Sequence, residues 1–200
     1  MSRALLIIDV QESFRQRPIW RAVSDPKIAD HLVPLVQAAR AAGDEIIWIL
    51  HSEPGTGSTF DPASGFVTIM PPLAPEENEL VLTKTSHNAF TTTNLQQLLT
   101  SRGITEVIVT GLRTEQCCET TARLASDLGY SVTFVLDGTA TNPIPEPVAQ
   151  AGQSIDEMLA DPLTLTVDAI MDRTRYVLAG RFAAVCTIAD LLERYEAVPG

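Results

Sequence analysis

Three residues far apart in this 200-residue chain have the types that turn a thiol into a nucleophile: Asp9, Lys84 and Cys117. Cys117 lies in the stretch EVIVTGLRTEQCCETTAR, residues 106–123. There, Val107 to Val109 reads as a short β-branched strand buried on both faces. Gly111 breaks the run, and Thr114 is expected to cap a helix that carries Glu115 in its first turn. Cys117 would fall in that first turn, where unpaired N–H groups and the helix dipole lower a thiol pKa. Strand, sharp turn and helix-start cysteine together describe a nucleophile at the carboxyl edge of a sheet. Asp9 ends the apolar run ALLIIDV and Lys84 ends the run LVLTK, so both belong at the same kind of edge. A carboxylate to take the thiol proton, an ammonium to steady the sulfur and N–H groups to hold an oxyanion make up a cysteine hydrolase. Each residue also has a plainer reading, Asp9 as a turn residue and Lys84 as a solvated surface charge. His31, His51 and His87 stand at no spacing that suggests a Cys–His dyad and read as packing or surface residues.

These residues need strands to carry them. Apolar runs predict strands at Ala4–Val10, Glu45–His51, Leu80–Lys84, Val107–Thr110, Ser131–Asp137 and Ala183–Thr187. Helical spacing predicts helices over Pro26–Ala42, Thr91–Arg102, Thr114–Leu128, Thr166–Leu178 and Ile188–Tyr195, with glycines closing several of them. Residues 52–79 are rich in Gly, Pro, Ser and Thr and read as a long irregular segment, a kind that is usually functional. The three prolines of NPIPEP, 142–147, exclude regular structure. Residues 148–165 are ambiguous, with a short helix at Ile155–Leu159. The alternation predicts an α/β fold: one domain over residues 1–200, holding a doubly wound, mostly parallel six-stranded sheet with helices on both faces in three layers. No G-x-G-x-x-G follows the first strand, so a dinucleotide site is not expected.

The formal net charge of −11 disfavours nucleic acid and anionic membranes as partners. It leaves a small-molecule substrate open, because a pocket can carry its own local sign. Three cysteines, two of them adjacent, make no disulfide framework and no C-x-x-C zinc pair. The apolar core of MSRALLIIDV is shorter than a signal h-region, and no stretch has the length of a membrane span. The expected location is the cytoplasm.

Three ordered blocks carry a family resemblance: ALLIIDVQESF, LTKTSHNAFTTTNL and VTGLRTEQCCETTARLASDLGYSVTFVLDGTAT. They resemble the isochorismatase-like cysteine hydrolase superfamily, which includes nicotinamidases, N-carbamoylsarcosine amidases and isochorismatases proper. The likeness runs from Ala4 to about Thr141, with a weaker echo in RFAAVCTIADLL. It implies Asp9, Lys84 and Cys117 as the catalytic set and a cis peptide at Leu112–Arg113. It also implies oxyanion donors at the backbone N–H groups of Arg113 and Cys117, and a homo-oligomer. Cys118 falls where the family has a small apolar residue and is assigned to helix packing.

Departures from the family narrow the chemistry. Nicotinamidases bind a metal through an aspartate and histidines after the second strand. Here that region is WILHSEPGTGSTFDPASGF, with His51 alone, so no metal and no cofactor are expected. Isochorismatases proper protonate a vinyl ether and need no thiol, so Cys117 points instead to a metal-independent amidohydrolase acting on a small amide or carbamoyl compound through a thioester. Ether hydrolysis by Asp9 and Lys84, and a non-catalytic redox sensor built on Cys117–Cys118, stay open as alternatives. Arg113 stands where the family often has a small residue. It either clamps a substrate carboxylate or turns away to pair with Glu115 or Glu119. Phe14, Trp20 and Phe60 either wall the pocket or pack in the core.

Overall fold

A computed structural model describes residues 2–147 and 153–197. Residues 148–152, part of the segment left ambiguous by the sequence, lie outside the described residues. Six strands form one sheet: β1 (Ser2–Ile8), β2 (Glu45–His51), β3 (Leu80–Lys84), β4 (Ile104–Leu112), β5 (Ser131–Ala140) and β6 (Ala184–Cys186). Their order is β3-β2-β1-β4-β5-β6, and every pairing is parallel. The chain winds outward from β1 in one direction and then from β4 in the other. The reversal therefore lies between β1 and β4, where open α/β sheets leave a crevice at the strands' carboxyl ends.

Helices cover both faces. They are α1 (Glu12–Arg15), α2 (Ile28–Ala41), α3 (Leu95–Ser101), α4 (Glu119–Asp127), α5 (Ile155–Ala160), α6 (Val167–Leu178) and α7 (Ile188–Glu196). Alternation along β1 splits the core in two. Leu5 and Ile7 join Ile28, Leu32, Leu35 and Leu191 of α2 and α7, while Ala4, Leu6 and Ile8 join Leu95, Leu99, Ala122 and Leu178 of α3, α4 and α6. Among the described residues no helix is long and apolar enough to cross a membrane.

Some boundaries differ from the sequence expectation, each for a local reason. The helix expected from Thr91 starts only at Leu95. Asn88 takes the Phe90 and Thr91 N–H groups at 2.9 Å each, and Thr93 takes that of Leu95 at 3.1 Å, so side chains hold this stretch as turns. Strand β5 does not end at Asp137 but continues to Ala140 after a register break, in which Val109 pairs with Phe134 and Gly111 with Thr139. Asp137, exposed in that break, accepts the Ile188 N–H at 2.7 Å where α7 begins. Thr114 does not cap the helix. The cap position is Arg113, and the Thr114 hydroxyl, fully buried, is bonded to the Thr139 hydroxyl at 2.8 Å. The irregular segment 52–79 folds back on the end of β1: Met70 donates to the Val10 carbonyl at 3.0 Å, and Glu12 to that of Thr68 at 2.9 Å.

Gly111 is the position at which the β1–β4 approach leaves no freedom. Its φ is +118°, and a Cβ there would lie 1.8 Å from the Ile8 carbonyl oxygen. That atom belongs to the backbone next to Asp9 and has no way to yield. Gly111→Ala is expected to destabilise the protein by about 4 kcal/mol or more, a fall in Tm of roughly 10 °C or more for a chain of this size, measurable by calorimetry.

Candidate active site

Asp9 follows directly on β1, with a left-handed backbone (φ +55°) that non-glycine residues seldom adopt. The turn is held because Asp9 N–H donates to Ile49 O at 2.7 Å and Gln11 N–H to Asp9 O at 2.8 Å. Lys84 closes β3, two strands away, in register with His51 of β2. Its stem crosses the end of β2, and Nζ lies 2.8 Å from Asp9 Oδ2, 3.4 Å from Cys117 Sγ, 3.2 Å from the Ser86 carbonyl and 3.4 Å from His51 Nδ1. Both charged side chains are 0% exposed. Three residues separated by up to 108 positions in the chain thus meet around one ammonium. The reading of Lys84 as a solvated charge does not hold, because the carboxylate and the thiol supply the partners that water would otherwise provide.

Cys117 sits in a wide first turn, Thr114–Cys118, of π type, in which Cys118 N–H reaches back to the Arg113 carbonyl at 3.2 Å. The Leu112–Arg113 peptide bond that leads into this turn is cis. Thr121 ties the turn down from inside α4: its hydroxyl donates to Cys117 O at 2.6 Å and accepts the Ala89 N–H at 3.1 Å, which joins the turn to the loop after β3. Cys118 is fully buried with its sulfur toward the Thr110 carbonyl at 3.7 Å. Cys117 itself is buried, with 7% exposure.

The electrostatics reverse the expectation of a lowered thiol pKa. Burial pushes the Cys117 thiol up to about 12, and the Asp9 charge pushes the same way, against the opposing pull of Lys84. Desolvation outweighs the helix start. Burial likewise raises the Asp9 carboxyl, against the pull of Lys84. Burial works to lower the Lys84 pKa, but Asp9 and Cys117 together outweigh it and hold the ammonium charged. The resting arrangement is a protonated thiol beside a carboxylate of increased basicity, with the ammonium bridging them. Asp9 Oδ2 is taken by Lys84, whereas Oδ1 is buried and without a hydrogen-bond partner among the described residues. A free acceptor oxygen near a thiol that still holds its proton is the geometry of a base awaiting transfer.

Two neighbours escaped the sequence reading. His51, taken as ordinary packing, touches Lys84 through Nδ1 and Glu53 through Nε2 at 3.4 Å each, and burial followed by the Lys84 charge lowers its pKa. Gln11 is fully buried and grips His51 by its backbone, donating to the carbonyl at 3.0 Å and accepting from the N–H at 2.7 Å. The available signal was position: His51 ends β2 just as Lys84 ends β3. Of the expected pocket walls, Phe14 and Phe60 meet edge to face at 4.9 Å in the core, and Phe60 also lies 5.7 Å from the His51 ring. Trp20 is half-buried against the same core cluster. Arg113 faces Glu115 at 3.1 Å and donates to the Asn142 carbonyl at 3.2 Å. Glu119 instead anchors α4 to α6, accepting from Arg123 at 2.9 Å, from Arg173, and from Thr174 at 3.1 Å.

A thiol of pKa about 12 is almost wholly protonated near neutrality. Alkylation of folded protein by iodoacetamide at pH 8 should therefore be more than tenfold slower than that of a free cysteine, whose pKa is about 8.5, and should still be rising at pH 10. A labelling rate that levels off by pH 8 would contradict this picture.

Comparison with known proteins agrees with this architecture. A profile of the isochorismatase domain matches residues 3–167. Streptothricin hydrolase of Streptomyces noursei is 32% identical over 175 residues, covering 82% of this chain and 67% of that protein. The ureidoacrylate amidohydrolase RutB of an Enterobacter species is 29% identical over 171 residues, covering 68% and 74%. A crystal structure from the isochorismatase family of Chromobacterium violaceum superimposes with a TM-score of 0.85 at 27% identity, covering 98% of this chain and 95% of the other. With the fold, the strand-end residues and the matched span in agreement, the chain belongs to the isochorismatase family and is a hydrolase of that family.

Proposed function

We propose that this hydrolase is a cysteine amidohydrolase that cleaves the C–N bond of a small amide or carbamoyl compound through a thioester on Cys117. The observation that carries the reading is the buried ammonium of Lys84, 2.8 Å from Asp9 and 3.4 Å from the Cys117 sulfur. The Cys117 proton passes to Asp9 while the sulfur attacks the carbonyl carbon and the C=O electron pair moves onto oxygen. Lys84 stabilises the charge that develops on sulfur, and the backbone N–H groups of Arg113 and Cys117 serve the oxyanion. Collapse breaks the C–N bond, and Asp9 returns its proton to the departing nitrogen. Water then attacks the thioester with Asp9 taking a proton, the C–S bond breaks, and that proton restores the thiol as the acid leaves. The likeness to a ureidoacrylate amidohydrolase supports a C–N bond as the target. The raised thiol pKa works against an oxidant sensor, whose chemistry needs a standing thiolate.

The test is ammonia release from a panel of small amides and carbamoyl compounds, with rapid-quench mass spectrometry for an acyl adduct on Cys117. Cys117→Ala should lower kcat by about 10³-fold or more. Full turnover of a vinyl ether by that variant would select ether hydrolysis instead. The pH profile carries a second expectation. Asp9 must be ionised to accept the proton, and its pKa lies above the ordinary 3.8. The acid limb of kcat/KM should accordingly lie above pH 3.8, with activity rising as pH rises through it. An acid limb at or below that value would remove Asp9 as the base.

A further inference from the structure

A cavity of about 390 Å³ adjoins the Cys117 turn, lined by Arg17, Arg113, Gln116, Ile144, Ser154 and Met158 among others. In a chain of net charge −11, two guanidinium groups on one cavity make a local field of the opposite sign. Arg17 is exposed and, among the described residues, has no ion pair. Arg113 is half-buried, with a side chain 13% exposed; its Nη2 faces Glu115 and the Asn142 carbonyl, and its Nε has no hydrogen-bond partner among the described residues. Glu115 offsets one of the two positive charges, and its other oxygen is occupied by the Thr141 hydroxyl at 2.5 Å. Glu157, on α5 near the far wall, is turned onto Ser154 as the cap of that helix. The two guanidinium groups lie beside the start of a helix whose dipole adds the same sign. Ile144 and Met158 give the cavity an apolar stretch fit for a short hydrocarbon spacer, and Gln116, next to Cys117 in the chain, marks where it meets the nucleophile's turn.

Resting on the amidohydrolase reading, we infer that the substrate is a small amide that also bears a carboxylate, held between Arg17 and Arg113 while its amide reaches Cys117. Guanidinium forks match the planar carboxylate, and a charge-assisted pair gives both hold and orientation. Succinamate, which carries a carboxylate and an amide on a two-carbon spacer, is the probe.

Binding and turnover test this separately. Calorimetric titration of the wild-type protein should show succinate binding at least tenfold more tightly than neutral succinamide, more weakly in 0.5 M NaCl, and about tenfold more weakly in Arg17→Gln, an exposed position whose change spares the core. The kcat/KM ratio of succinamate over succinamide should fall about tenfold in the same variant. Equal binding of succinate and succinamide, no succinate binding, or wild-type succinate affinity in Arg17→Gln would overturn the clamp. Selective succinate binding with no ammonia from either amide would support the clamp and overturn the amidohydrolase chemistry. Ammonia from both amides at equal kcat/KM would leave that chemistry standing and overturn the clamp.

Discussion

The Asp9–Lys84 ion pair is the constraint that the surrounding structure answers to. Both side chains are 0% exposed, so neither charge is hydrated and each depends on the other. Removing a carboxylate and an ammonium from water costs several kcal/mol per ion even after relaxation. Good geometry and additional hydrogen bonds are the only offset, and Lys84 gathers four contacts: Asp9, Ser86, Cys117 and His51. A pair of this kind is weak evidence for stability, since apolar residues of equal volume often do as well. Its presence at the carboxyl edge of the sheet points to chemistry.

The sheet topology makes the pair possible. Parallel strands all present their carboxyl ends on one side, and the winding reverses between β1 and β4, where Asp9 and the Cys117 turn emerge together. Lys84 comes from β3, with β2 between it and Asp9, so a side chain as long as lysine is needed to span the gap. His51, at the end of the intervening strand, stands against the Lys84 ammonium, and Gln11 holds His51 by both of its backbone groups. Gly111 lets β4 pass against Ile8 closely enough to bring sulfur and carboxylate together.

Low dielectric around this cluster changes how the sulfur works. An exposed helix-start cysteine would be partly ionised at rest. Here burial keeps the proton on the thiol and at the same time makes Asp9 a stronger base. On the proposed mechanism, proton and substrate move in concert, with the ammonium poised to stabilise the thiolate as it forms. A thiol that keeps its proton reacts slowly with oxidants and stray electrophiles.

Much of this was legible in the chain itself. Apolar runs marked all six strands, most plainly the inner four, because strands of a parallel sheet buried on both faces tolerate little else. Asp9 and Lys84, at the ends of such runs, belong with the Cys117 turn at the sheet's carboxyl edge by that logic alone, and the family resemblance adds to it. Local polar chemistry, such as Asn88 and Thr93 holding back the start of α3, blurred the boundaries but not the elements. What tertiary structure alone decided were the questions of partner and environment. Lys84 is buried rather than solvated, Arg113 faces Glu115, Thr114 bonds to Thr139 in place of capping, and His51 stands against the ammonium. The sign of the Cys117 shift belongs to the same group. Backbone preference and hydrophobic period are properties of neighbouring residues, so they can be read along a line. The cost of a charge depends on how much water and which opposite charges surround it, and those are set by residues a hundred positions away.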